Sequence, residues 1–156
     1  IKGAVEALKY AADLMDSRAR TMKQERTKVC NRPDVYVIID ELHDLLISDR
    51  AREIKFYMQR IITMGRALKV HLISCTQNPN RSTIPANIVS CYTCRIGMHC
   101  ADAIESRQIV GTKGCEDLPK HGEIIGVIEG ERMQLKTPYV TEADINPLIN
   151  YWLKQA

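Results

Sequence analysis

The sequence predicts an α/β fold in which a mostly parallel central sheet is flanked by helices. Two apolar runs carry that reading, Val35-Tyr36-Val37-Ile38-Ile39 and Val70-His71-Leu72-Ile73-Ser74-Cys75, both rich in β-branched or aromatic residues. A strand apolar on both faces belongs in a sheet covered on both sides. Between the runs, Ile54, Met58, Ile61, Ile62 and Leu68 recur at helical spacing from about residue 51 to 67. Strand, helix and strand over roughly 40 residues make a βαβ unit with parallel strands and a right-handed crossover.

The remaining elements follow in chain order. Ala4, Leu8, Ala11, Met15 and Met22 share one face of an N-terminal helix, with Lys2, Glu6, Lys9, Asp13, Asp16 and Arg20 elsewhere. That helix is expected to reach about Lys28, where Asn31-Arg32-Pro33 stops it. Beyond the second strand come a loop at residues 79–85, a short helical turn at 86–90, a third strand at 92–98 and a helix at 101–110. Gly111, Gly114 and Gly122 punctuate the next loop. Residues 123–128 then pair with 133–136 as a hairpin across Glu129-Gly130-Glu131-Arg132. Thr141 caps a last helix running to about Lys154, with Glu142 and Asp144 in its first turn.

Composition sets the outer limits. A chain of 156 residues, 45% of them hydrophobic, suits a single domain over residues 1–156 and excludes a disordered one. No apolar run approaches the roughly 18 residues of a membrane span. Lys2-Gly3-Ala4-Val5-Glu6 opens an amphipathic pattern rather than a signal segment, and a chain starting at Ile1 reads as part of a longer one. Net charge of +3 permits nucleic acid as a partner without demanding it. Arg18, Arg20, Lys23, Arg26, Lys28 and Arg32 face one acid, Glu25, and read as a solvated helix face.

Cysteines 30, 75, 91, 94, 100 and 115, with no secretory signal, suggest free thiols and a cytoplasmic setting. Cys91 and Cys94 have C-x-x-C spacing, and His99 and Cys100 follow. On a strand, positions i and i+3 face opposite sides, so no zinc site is expected there.

The chemistry centres on Asp40-Glu41, directly after the first apolar strand. Ligands of open α/β sheets bind beyond the carboxyl ends of the strands. Apolar residues followed by two carboxylates form the Walker B pattern, whose first acid serves Mg²⁺ and whose second polarises the attacking water. The second strand also ends in polar residues, Thr76 and Gln77, where a hydroxyl and an amide could sense a γ-phosphate. The bland alternatives are an acidic helix cap and a polar strand terminus.

Val37-Ile38-Ile39-Asp40-Glu41-Leu42-His43-Asp44-Leu45 resembles the Walker B segment of FtsK/SpoIIIE-type DNA translocases. Gly65-Arg66-Ala67, Val70-His71-Leu72-Ile73 with Thr76-Gln77, and Ala86-Asn87-Ile88 with Arg95-Ile96 follow further motifs of that family in order. So do Asp102, Ser106-Arg107, Gly114, Leu118 and Gly122-Glu123, and the likeness spans about residues 35–128. It implies a RecA-like P-loop NTPase fold and a homo-hexameric, ATP-driven motor moving double-stranded DNA. It also implies ATP and Mg²⁺ as cofactors, with membrane attachment only through other domains. By position, Asp40 would be the Mg²⁺-linked carboxylate, through water, and Glu41 the catalytic one. Thr76 and Gln77 would be the sensor, Arg66 an arginine finger reaching a neighbouring subunit, and Arg107 a weaker interface candidate.

The departures shape the expectation. No G-x-x-x-x-G-K-[ST] occurs in the sequence, so these residues match the later part of such a motor domain and lack its phosphate-gripping loop. Asn78 and Cys91, Cys94 and Cys100 replace commoner residues, which points to a divergent branch such as a conjugative-element translocase, and the DNA moved would serve either chromosome segregation or conjugative transfer. Motors of type VII protein secretion share the motifs and form the alternative. Without the P-loop strand, residues 70–75 are expected to pair with residues 92–98 or with a strand from a second chain.

Overall fold

A computed structural model describes residues 1–82 and 84–155. Thr83, inside the expected 79–85 loop, and Ala156 lie outside the described residues. The chain forms two compact units, residues 1–93 and 94–156.

The first unit contains α1 (Lys2–Gln24), β1 (Val35–Ile39), α2 (Leu42–Leu46), α3 (Ala51–Leu68), β2 (Val70–Ser74) and α4 (Ala86–Val89). β1 and β2 pair in parallel, Val35 opposite Val70 through Ile39 opposite Ser74, as a strand–helix–strand unit requires. Val5, Leu8, Ala11 and Met15 of α1 and Ile54, Met58, Ile61 and Leu68 of α3 bury themselves in one core with Ile39 and Val70. The opposite sheet face is open: Tyr36, Ile38 and Ile73 are 59%, 68% and 46% exposed. The expected two-sided cover is therefore absent among the described residues.

Two features of this unit depart from the sequence reading. α1 stops at Gln24, and Arg26 turns into the left-handed region at φ 53°. Arg18 is no solvated cation. It is buried, and its guanidinium donates to the carbonyls of Leu68 at 2.7 Å, Lys69 at 2.9 Å and Pro33 at 2.9 Å. It thereby satisfies the end of α3 and ties α1 to the entry of β1. The other five cations of that run are exposed.

The second unit contains β3 (Cys94–Gly97), α5 (Ala103–Val110), β4 (Glu123–Ile128), β5 (Glu131–Lys136) and α6 (Glu142–Leu153). The third strand is shorter than expected and pairs antiparallel with β4, not with β2. The hairpin turn is two residues long, Glu129 and Gly130 at φ 52° and 91°, which matches the twist of the flanking strands. Val110, Cys115, Leu118, Ile125 and Val127 form this unit's core. Thr141 caps α6 through a reciprocal pair with Asp144, and none of the helix is buried.

Candidate functional site

β1 delivers Asp40 and Glu41 at its carboxyl end, and β2 delivers Thr76 and Gln77 at the same end. The ladder continues past the strands, since Cys75 N donates to Ile39 O and Leu42 N to Cys75 O, both at 2.8 Å. These two bonds hold the acidic pair beside the polar pair.

Glu41 is the best-held side chain there. Its Oε1 accepts from Thr76 Oγ1 at 2.6 Å and from His43 N at 2.9 Å, the latter as N-cap of α2. Its Oε2 accepts from Gln77 N at 3.0 Å. Thr76 Oγ1 also accepts from Asn78 N at 3.1 Å, which folds residues 76–78 around the carboxylate. Partial burial pushes the Glu41 carboxyl up, but the Thr76, Gln77 and His43 bonds outweigh it and hold the group below the usual glutamate value. Gln77 acts here through its main-chain N–H, where the sequence reading had assigned a role to its side-chain amide.

Asp40 is exposed and makes no hydrogen bond or ion pair among the described residues. Such a carboxylate is the donor a hard cation takes, and Mg²⁺ is commonly held by one or two carboxylates plus waters and phosphates. No group of three or more His, Cys, Asp or Glu is arranged to hold a metal among the described residues. Cys91 sits in a turn, its thiol donating to Asn87 O at 3.1 Å, and Cys94 opens β3. The donor set fits a Mg²⁺ carried in on a nucleotide and no protein-only cage.

Arg66 lies exposed in the last turn of α3, at the opposite end of β2 from Thr76. Five strand residues at about 3.3 Å each separate it from the carboxylates by roughly 17 Å. It cannot reach Glu41 of its own chain. Arg107 belongs to the second unit, where it is exposed on α5 and donates to Ala103 O at 3.3 Å. Thus Glu41, Thr76 and Gln77 are joined by direct bonds and Asp40 adjoins them in the chain, while Arg66 stands about a strand length from that cluster. The bond from His43 N makes Glu41 the acidic helix cap that the sequence offers as an alternative, while the Gln77 N–H, a main-chain donor, has no residue-type signature.

No family model matches the chain. It is 32% identical over 120 residues to the DNA translocase FtsK of Rhizobium meliloti (strain 1021), covering 76% of this chain and 14% of that protein. This chain is a relative of the FtsK-type translocases. It spans about one seventh of that relative's length. Among solved structures, the pCW3 conjugation coupling protein TcpA, in a monomer form with ATPγS, superposes with TM-score 0.83 at 20% identity. That match covers 96% of this chain and 49% of TcpA. The cytoplasmic domain of the type VII secretion ATPase EccC from Thermomonospora curvata gives TM-score 0.63 at 23% identity, over 79% of this chain and 14% of EccC. The fold of this FtsK relative is that of a P-loop ATPase motor domain, α/β with a parallel pair and an antiparallel sheet.

Proposed function

We propose that this chain is the later part of a motor domain that hydrolyses ATP to move double-stranded DNA. The observation that carries the proposal is the pairing of Asp40-Glu41 at the end of β1 with Thr76-Gln77 at the end of β2, in a relative of FtsK. In this reading Asp40 would help to hold a nucleotide-borne Mg²⁺, which would supply charge neutralisation for the phosphates. Glu41 polarises the attacking water, and Thr76 and Gln77 respond to the γ-phosphate. Arg66, held a strand length from its own site, serves the nucleotide of an adjacent subunit as a planar fixed cation. That assignment requires a ring, a homo-hexamer in this reading, and Arg107 is assigned to its subunit interface.

The 156 residues hold no phosphate-gripping loop, so the complete polypeptide is the active species. The TcpA likeness supports a conjugative setting over cell division. Among the described residues no helix is long and apolar enough to cross a membrane. We assign the domain to the cytoplasm, with any membrane anchor elsewhere in the polypeptide. The EccC likeness supports a second reading, a protein-secretion motor, which the higher TM-score of TcpA and the FtsK kinship disfavour. Duplex DNA and unrelated secreted protein, compared as stimulants of ATP turnover by the complete polypeptide, separate the two. DNA should stimulate and protein should not; the reverse result rejects the translocase reading.

A further inference from the structure

One cross-strand row of the antiparallel sheet carries two arginines and no acid to meet them. Arg95 on β3 stands opposite Val127 on β4, and Val127 stands opposite Arg132 on β5. Residues directly opposite share a sheet face, so both arginines lie on the face that Ile125 and Val127 give to this unit's core. Two strand spacings of about 4.8 Å set their Cα atoms roughly 10 Å apart. Val110, the last residue of α5, packs in the same core, and Gly111 and Gly114 follow it at φ 82° and 126°.

The two guanidiniums lie over those two glycines. A methyl built at Gly111 would lie 3.7 Å from Arg95 Nη1, and one built at Gly114 would lie 2.8 Å from Arg132 Nη2. Both cations therefore reach the bare backbone of one short loop, Gly111-Thr112-Lys113-Gly114, in which Lys113 adds a third positive charge. Among the described residues neither guanidinium makes a hydrogen bond or an ion pair. Arg95 is half-buried, where a cation without a counter-charge is costly.

The neighbouring acids are engaged elsewhere. Glu116 Oε2 accepts from Gly114 N at 2.8 Å, and that bond leads the causes that hold its carboxyl below the usual glutamate value. Glu131 adjoins Arg132 along β5 and so points to the opposite face. The Thr112 and Lys113 N–H groups have no acceptor among the described residues. Two planar forks, an ammonium and two main-chain N–H groups make a set of donors only. Such a set suits phosphate oxygens, which arginine meets with paired bonds.

We propose that Arg95 and Arg132, with the Gly111–Gly114 loop between them, clasp the phosphate backbone of duplex DNA. Each fork takes a phosphate, and a DNA strand repeats that anion about every 3.4 Å along its axis. Backbone contacts of this kind position the duplex without selecting a sequence. The inference rests on the DNA-translocase reading above and adds to it a contact surface in the second unit.

Fluorescence anisotropy of the complete polypeptide with a labelled mixed-sequence duplex, titrated over a range of salt concentrations, tests the clasp. Arg95→Gln/Arg132→Gln should weaken binding on the order of tenfold at about 0.1 M salt and should reduce the steepness of log K against log salt by about 2. Arg132→Gln alone changes an exposed side chain, spares the core, and should reduce it by about 1. Lys2→Gln/Lys9→Gln removes the same charge from exposed positions of α1 and should leave the salt dependence as in wild type. Equal losses in the two double variants would mean that only net charge is felt, and would overturn the clasp. Weakened ATPγS binding with duplex binding intact would give the arginines to a nucleotide and overturn it too. A wild-type polypeptide that binds no duplex rejects the DNA reading together with the clasp, whereas wild-type binding matched by the arginine variant rejects the clasp alone.

Discussion

Gly65→Ala sets the packing of α3 on β2 against a helix former's intrinsic preference. A methyl group built at Gly65 overlaps the Val70 carbonyl oxygen outright, and lies 3.1 Å from the Val70 carbonyl carbon and 3.5 Å from Ile61 Cγ2. The obstacle is backbone held in the β1–β2 ladder, so it cannot swing away as a side chain would. Restoring an ordinary contact of about 3.5 Å needs α3 to lift by more than 1 Å or so. That would loosen Ile61 and Leu68 in the core they share with Val70. Overpacking of this kind costs about 1–3 kcal/mol, and a backbone obstacle belongs at the upper end. Alanine returns up to about 1 kcal/mol of helix propensity, leaving a net loss of about 2 kcal/mol. At about 2–4 °C per kcal/mol for a chain of this size, Tm should fall by about 4–8 °C. Thermal unfolding followed by far-UV circular dichroism reads this directly. Gly3→Ala, with nothing within 4 Å of its built methyl, is the control and should not lower Tm. A Gly65→Ala protein melting at or above wild type would refute the close approach of α3 to β2.

Other substitutions probe the remaining ties. Arg18→Met leaves the Leu68, Lys69 and Pro33 carbonyls without their donor and should cost about 2–4 kcal/mol by urea unfolding, with Arg18→Lys recovering only part; a loss under 0.5 kcal/mol or so would contradict the burial of that guanidinium. Asp34 accepts from His71 at 2.8 Å, and that bond, helped by Lys69, holds its carboxyl below the ordinary 3.8. A depressed carboxylate stabilises above its unfolded pKa and loses that stabilisation as pH falls through the folded one. Urea midpoints of wild type and Asp34→Asn should therefore differ at neutral pH and converge well below pH 3.8; a difference that persists in acid would exclude an ionic origin. The 156-residue chain itself should bind ATP no better than about millimolar, because most triphosphate grip comes from loop amides and a lysine that its sequence lacks; micromolar binding by calorimetry would mean that another phosphate site exists in it.

What could be read from the sequence was what is local. Val35–Ile39 followed by two acids places a carboxylate pair at a strand end without reference to anything distant, and the parallel pairing with Val70–Ser74 follows from the intervening helix. Pairing across longer separations was not legible. The third strand had two candidate neighbours of similar apolar character, and nothing in its four residues selects β4 over β2. Arg18 sits in a run of cations whose charges suggest solvent, yet its acceptors lie 15 to 51 residues away. The residue order alone places Thr76 and Gln77 just past the second strand, at the same sheet edge as the two acids. Their partner was concealed, because one of the two bonds to Glu41 uses a main-chain N–H and both span about 35 residues.

The most direct measurement is steady-state ATP turnover, with and without duplex DNA, by the complete polypeptide carrying Glu41→Gln, alongside ATPγS binding by the same protein. The amide keeps the shape of the carboxylate but cannot polarise water. Turnover should fall by about 10²–10⁴-fold in both conditions while ATPγS still binds. Turnover within a few-fold of wild type, or loss of nucleotide binding in a folded protein, would contradict the placement of the hydrolytic carboxylate at the end of β1.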